Sequence, residues 1–367
     1  MTTRRRLLTA ALAVPIGYGW AAAPAAAAAP ARLTLPAPTG PNRIGTVSLH
    51  LVDRGRDLMA GIWYPARNTG RYPVAPWMPA APLHALLASA DLDADVAAPR
   101  TAGHEGAPAL PAAGRRPVVV FSHGSGGHRS EATIVVQELA SHGYVVVTVD
   151  HPGDSFSELP DGRTTVPGDV SVTPWDHARD IRFVLDRIED LAAGRRPLPA
   201  GLGAAIDPHR IGMFGWSKGA TATALVMNAD RRVRAGLSLD GPMLSQPSPA
   251  DLDRPFMLMT AEFTPGAEES GVAEFWPLLH GWRRQVHTEG ALHGGYCDHQ
   301  WLIPQLAAIT GMSDDDLAGW IGTLDPARAV RIQQAYPLAF FDLHLRGQRQ
   351  RLLEGPSPAF PEVRFVP

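Results

Sequence analysis

The segment Gly215-Trp216-Ser217-Lys218-Gly219 lies between an apolar, strand-like run, Ile211–Phe214, and a helix-prone stretch from Ala220 to Asn228. A serine set between two glycines at a strand-to-helix turn is a nucleophile elbow. The turn is too tight for side chains at the glycine positions, and it pushes the serine hydroxyl out at the carboxyl edge of a sheet. The following helix offers unpaired N–H groups and a positive dipole end where negative charge would form. A serine hydroxyl is a weak nucleophile, so Ser217 needs a base, and the base needs an acid that fixes its tautomer. Of the 14 histidines, His293 sits after the last apolar run, in Leu292-His293-Gly294-Gly295-Tyr296-Cys297-Asp298, where the chain order serine, acid, histidine puts the base. His299 is the runner-up, and His287, inside a strand, reads as structural. Two acids end strands between serine and base: Asp240 after Ala235–Leu239, and Glu262 after Phe256–Met259. On the residues alone, either reaches the base.

The loop His123-Gly124-Ser125-Gly126-Gly127 follows another apolar run, Pro117–Phe121. Its glycines permit the dihedrals that turn backbone N–H groups inward, in the position that supplies the second oxyanion donor. The expected donors are the amides of Ser125 and of Lys218, the residue after the nucleophile. His123 is expected to buttress this loop and, with Gly124 and Trp216, to border the substrate pocket; Trp175 reads either as pocket or as core. No Gly-Lys-Ser/Thr follows the glycine run, which excludes a phosphate loop. Cys297 has no elbow around it and reads as a packed side chain instead of a thiol nucleophile. Asp150-His151-Pro152-Gly153-Asp154 resembles a metal cluster in composition only and reads as a loop near the site mouth. No metal and no cofactor is expected.

These residues need a frame that lines them up at one edge. From residue 117 onward, short apolar runs alternate with helical patterns, the signature of a parallel sheet covered on both faces. The strands are Pro117–Phe121, Tyr144–Val149, Ile211–Phe214, Ala235–Leu239, Phe256–Met259 and Gln285–Thr288. An opening hairpin, Arg43–Leu51 with Leu58–Tyr64, brings the total to eight. Helices are predicted over Glu131–Ser141, from Thr173 with Pro174 and Asp176 to Gly194, from Ser313 with Asp316, and from Asp325-Pro326 to Arg346 before Gly347. Residues 65–115, rich in Ala and Pro, carry one helix-compatible stretch, Leu83–Ala90, and read as an insertion or lid on a single domain spanning 31–367. The acidic run Asp91, Asp93, Asp95 lacks the Gly and terminal Glu of a calcium loop and reads as solvated surface.

Composition closes off other classes. The 36 Gly and 35 Pro of 367 residues stay below the roughly 25–30% that points to disorder. A net charge of −3 gives no basic field for nucleic acid, and a lone cysteine excludes an intrachain disulfide or thiolate cage. Arg4-Arg5-Arg6, the apolar run from Leu7 to Trp20 and the Ala/Pro stretch to Ala29 order themselves as an export signal over residues 1–30, removed near 25–29. Thr3 to Leu8 looks like a twin-arginine signal, with ordinary Sec export as the alternative. Pro15 and Gly17 interrupt a run shorter than the ~20 residues that span a bilayer, so no transmembrane anchor is expected. The mature chain is expected to be exported, secreted or periplasmic.

Val119-Val120-Phe121-Ser122-His123-Gly124, Leu139-Ala140-Ser141-His142-Gly143-Tyr144, the elbow at Ser217, the aspartate ending Leu237-Ser238-Leu239-Asp240, and His293 with Tyr296 and Asp298 together resemble the plasma-type platelet-activating factor acetylhydrolases. They are also similar to the bacterial dienelactone-hydrolase-like relatives of that family. The resemblance runs from Ile62-Trp63-Tyr64-Pro65 to the last histidine loop. It implies an α/β-hydrolase fold and an acid after the strand that follows the elbow helix, which favours Asp240 over Glu262. It departs at Lys218, where an apolar residue is usual, at Ala220 in place of a second glycine, and across 65–115. The implied activity is hydrolysis of small-molecule or lipid carboxylic esters through an acyl-enzyme, with a short acyl group. A lipase or polyester hydrolase with an open groove is the alternative enzyme, and a non-catalytic binding protein of the same fold the alternative of another class.

Overall fold

The computed structural model describes residues 30–92, 94–262 and 270–367, and residues 31–367 form one compact unit. The segment read as an export signal, and Asp93 of the acidic run, lie outside the described residues.

Eleven strands make the main sheet: β1 Ile44–Asp53, β2 Arg56–Pro65, β3 Val74–Pro76, β4 Arg100–Glu105, β5 Arg116–Ser122, β6 Val145–Val149, β7 Ile206–Trp216, β8 Val233–Leu239, β9 Phe256–Thr260, β10 Arg283–Thr288 and β11 Val363–Val366. They lie in the order β11-β10-β9-β8-β7-β5-β6-β2-β1-β4-β3. The six from β5 to β10 run parallel to their neighbours, β2 joins β6 antiparallel, and β11 closes the far edge antiparallel. This is the mostly parallel α/β-hydrolase sheet. The strand count is corrected from eight to eleven. Two of the additional strands, β3 and β4, come from the 65–115 insertion, and the third is the C-terminal β11; all lie at or next to an edge, where one covered face suffices and the apolar signal is weak.

The central strands are apolar throughout because both faces are buried, and their alternate residues serve opposite layers. Val118 and Val120 of β5 point into one core with Phe256 and Leu258, whereas Val119 and Phe121 enter the other with Met257 and Met259. The first core is covered by α3 Pro174–Ala192 and α4 Lys218–Ala229, the second by α2 Thr133–Ser141 and α7 Pro326–Arg346. Thr173 and Asp176 form a reciprocal capping box with Pro174 in the first turn of α3, and Asp325 caps α7, which stops at Gly347 with φ 69°. α2 begins two residues later than its pattern predicts. Its cap comes from far along the chain: the Asp298 carboxylate accepts the Thr133 and Ile134 N–H groups at 2.9 and 3.0 Å.

The insertion holds helix α1, Ala80–Ser89, and packs on α5, His299–Thr310, which is followed by α6, Asp314–Ile321. Trp77, Met78, Leu83 and Leu87 share a third apolar cluster with Leu302, Ile303 and Leu306. The Trp77 indole N–H bonds the Ser130 carbonyl and Asp298 at 2.8 Å each.

His344, in the last turn of α7, stands 4.5 Å from the Trp282 ring and 4.9 Å from Phe340, and burial lowers its pKa to about 4. The unfolded chain takes up this proton near pH 6.5 and the folded chain does not, so acidification from 6.5 toward 4 costs stability. His344→Phe is expected to lose less stability than the parent between pH 7 and pH 5, read as the shift in urea midpoint.

Candidate active site

Strand β7 ends at Trp216 and α4 begins at Lys218, leaving one residue for the bend. Ser217 takes φ 54° and ψ −122°, a region that L-residues enter only when the surroundings force them. The glycines explain how this happens. A Cβ on Gly219 would stand 2.0 Å from the Ser122 carbonyl oxygen, and one on Gly215 would stand 2.1 Å from the Gly219 carbonyl. The Ser217 N–H bonds the Leu239 carbonyl at 3.0 Å, which pins the bend to the end of β8.

Asp240 follows β8 with φ 47°. Its Oδ1 accepts the Ala261 N–H at 2.8 Å and its Oδ2 meets His293 Nδ1 at 2.6 Å. A carboxylate only accepts, so Nδ1 carries the proton and Nε2 keeps its lone pair. The His293 ring lies on the Trp216 indole, centroids 4.7 Å apart and planes 32° from parallel, and the indole N–H bonds the His293 carbonyl at 2.9 Å. A Cβ on Gly124 would fall 2.5 Å from the Trp216 ring and 3.1 Å from Ser217 Cβ. Ser217, Asp240, His293, Trp216 and Gly124 are thus brought together at the carboxyl edge.

Other candidates stand apart. Glu262 accepts the Gly290 N–H at 2.8 Å, His287 Nδ1 meets Thr260 Oγ1 at 3.2 Å, and Trp175 donates to the Pro247 carbonyl. Cys297 is fully buried, its thiol directed at the Gly294 carbonyl and pushed well up by desolvation. His299 packs edge-on against Trp216 at 5.9 Å, and burial holds it near pKa 4.

In the glycine-rich turn, Gly124 N–H donates to Glu131 Oε2 at 3.0 Å and Gly126 N–H to Asp154 Oδ1 at 2.9 Å, while Gly127 N–H returns to the Gly124 carbonyl. The Ser125 amide is the one left over. His123 is buried and neutral: Nδ1 donates to the Gly124 carbonyl at 2.7 Å, Nε2 accepts the His151 N–H at 3.1 Å, and burial lowers its pKa to about 4.

Beneath the turn lies a polar cluster that residue patterns do not reveal. Ser122 Oγ lies 2.9 Å from His151 Nε2, His151 Nδ1 meets Asp180 at 3.2 Å, and Arg56 grips Asp180 with two nitrogens at 2.5 and 3.2 Å. His177 Nε2 and Lys218 Nζ converge on Asp154 Oδ2, each at 2.8 Å. The one available signal was the composition of Asp150 to Asp154. Its expected place at the site mouth is corrected: His151 and Asp154 are buried, because each carboxylate and imidazole there has a partner that offsets its desolvation. Lys218 joins the start of α4 to Asp154, and Asp154 in turn holds Gly126.

Next to His293 opens a cavity of 740 Å³, lined by Trp216, Leu292, His299, Met312 and Trp320 with Asp315 and Asp316 at its side. No helix among the described residues is long and apolar enough to cross a membrane.

The sheet, the elbow and the imidazole–carboxylate pair define an α/β hydrolase. Residues 27–158 match the family model described as platelet-activating factor acetylhydrolase, isoform II. A probable 1-alkyl-2-acetylglycerophosphocholine esterase of Arthroderma benhamiae is 27% identical over 272 residues, 68% of this chain and 66% of that protein. The platelet-activating factor acetylhydrolase of Cavia porcellus is 21% identical over 343 residues, 78% of this chain and 74% of its own. Among solved structures, the ferulic acid esterase from Streptomyces cinnamoneus superposes with a TM-score of 0.76 at 33% identity, covering 92% of this chain and 100% of that one. The chain is an α/β hydrolase related to the platelet-activating factor acetylhydrolases and to the ferulic acid esterase.

Replacing Lys218 with Met strands part of the Asp154 charge in a site with little water. The expected cost is about 2–3 kcal/mol of stability, read from urea unfolding of Lys218→Met against the parent.

Proposed function

We propose that this protein is an exported serine hydrolase of carboxylic esters that works through an acyl-enzyme on small-molecule or lipid esters. The observation that carries this reading is the 2.6 Å contact from Asp240 to His293 Nδ1 at the edge where Ser217 projects. In this reading His293 Nε2 takes the Ser217 proton as Oγ attacks the ester carbonyl, and Asp240 stabilises the imidazolium that results. The Ser125 and Lys218 amides hold the oxyanion. The protonated His293 then returns its proton to the departing alkoxide. Water, deprotonated by the same imidazole, cleaves the acyl-Ser217 ester and regenerates the serine. Residues 1–30 supply the export signal, and residues 65–115 are an insertion that packs on α5.

Ser217→Ala is expected to abolish labelling by a fluorophosphonate probe. Asp240→Asn is expected to lower kcat on an activated ester by about 10⁴-fold, because the wrong tautomer then faces the serine. Glu262→Gln should stay near the parent rate, and the reverse ranking of the two acids would assign the orienting role to Glu262.

The acyl group is read as short, as in relatives whose names specify a 2-acetyl substrate. A second reading has a specific observation behind it: the cavity beside His293 carries Trp216 and Trp320, and the solved relative is named a ferulic acid esterase, so an aromatic acyl group is a competing occupant. Turnover of p-nitrophenyl esters is expected to fall steadily from acetate through butyrate and octanoate to palmitate. Faster turnover of methyl ferulate than of methyl acetate would favour the aromatic reading, and flat or rising rates with chain length would favour the open-groove lipase.

A further inference from the structure

Close to the glycine-rich turn, three side chains from two segments point at one another. His128 and Glu131 precede α2, and His299 opens α5; one ligand atom from each lies within 4.8 Å of the other two. His128 is 1% exposed and neither ring nitrogen has a hydrogen-bond partner, a condition that buried polar groups rarely tolerate. Glu131 is 2% exposed, with Oε2 already oriented by the Gly124 N–H. Packing holds both rings: His128 stands edge-on to Trp77 at 4.7 Å, and His299 edge-on to Trp216. The two segments are also laced by backbone, since the Asp298 N–H donates to the Glu131 carbonyl at 2.8 Å.

We propose that His128, Glu131 and His299 form a site for a first-row divalent metal ion of the zinc type, which braces the oxyanion turn against the segment that carries His293. Two imidazoles and one carboxylate suit zinc, cobalt or nickel, and they are poor for calcium or magnesium, which take oxygen ligands. Tetrahedral bonds of about 2.0–2.2 Å put donor atoms about 3.3 Å apart, so small rotations of the three side chains close the 4.8 Å spread. Glu131 has the oriented outer partner that metal ligands usually carry, the Gly124 amide. The ion would reach Gly124 through Glu131, so it fixes the turn without touching the ester. The proposal departs from the expectation of no metal, since in the sequence His128-x-x-Glu131 and His299 are too far apart to be seen as one set.

The test uses the whole protein, stripped with a chelator and titrated with Co²⁺ and Zn²⁺. One equivalent of Co²⁺ per chain with visible d–d absorption, and a Zn²⁺-dependent rise in Tm, are expected. Glu131→Gln keeps an acceptor for the Gly124 N–H, and His299→Ala alters a half-buried ring. Each is expected to weaken binding by at least about tenfold, and His128→Phe to remove it. If His128→Phe does not fold by circular dichroism, the other two variants decide. Less than a tenth of an equivalent at micromolar metal overturns the proposal. So does an equivalent that survives both Glu131→Gln and His299→Ala, which would place the metal elsewhere. The readout is binding, so it stands whether or not esters are hydrolysed.

Discussion

The distance at which the chain leaving Ser217 passes the end of β5 governs the carboxyl edge. With Gly219 in place, the first turn of α4 lies against the Ser122 and His123 carbonyls, close enough that any Cβ would sit well inside van der Waals contact. That crossing sets the helix N-terminus beside the turn 123–127 and leaves Ser217 in its strained backbone conformation. Strain of this kind costs of order 1–3 kcal/mol and persists because both neighbouring elements are tightly packed. β7 is flanked by β5 and β8, and α4 is buried along nearly its whole length.

The polar cluster under the turn answers a problem that the crossing creates. A turn built on three glycines, Gly124, Gly126 and Gly127, has little side-chain packing to hold it, so its shape must come from hydrogen bonds. Asp154 and Glu131 each fix one amide, and each is buried. Burial pushes the Glu131 carboxyl up to about 8 in spite of its hydrogen bond, whereas Asp154 faces His177 and Lys218. The lysine at position 218 therefore has a structural partner. It is the tie between the helix start and the turn.

Much of the frame is legible in the residues, for stated reasons. Strands buried on both faces are apolar at every position, so β5 to β9 stand out, and helices that carry their own caps, such as α3 at Thr173 and α7 at Asp325, declare their starts. What is hidden depends on partners distant in sequence. The start of α2 shifts because Asp298, 165 positions away from Thr133, supplies the cap. The edge strand β3 and its neighbour β4 show no apolar alternation, and β4 reads Arg-Thr-Ala-Gly-His-Glu, a polar segment paired between β1 and β3. At the site, spacing singles out Ser217 and His293 but leaves Asp240 and Glu262 equal. The structure separates their surroundings through two backbone amides: Ala261 orients Asp240 toward His293, and Gly290 occupies Glu262.

The insertion ties these features together. Trp77 reaches from the edge of the sheet to Asp298, and Asp298 holds both the start of α2 and, through the chain, the segment from His293 to His299. α1 meanwhile packs on α5 through Leu83, Leu87, Leu302 and Leu306. The wall of the cavity and the loop bearing His293 are therefore one packed body, so a change of residues 65–115 reaches the imidazole through apolar contacts and one buried carboxylate. The elbow and its glycines are set by a backbone crossing that admits no variation, while the cavity wall rests on side-chain packing that does. Acyl preference is expected to follow the second while the position of Ser217 follows the first, and this separation lets one frame serve relatives named for acetyl and for feruloyl esters.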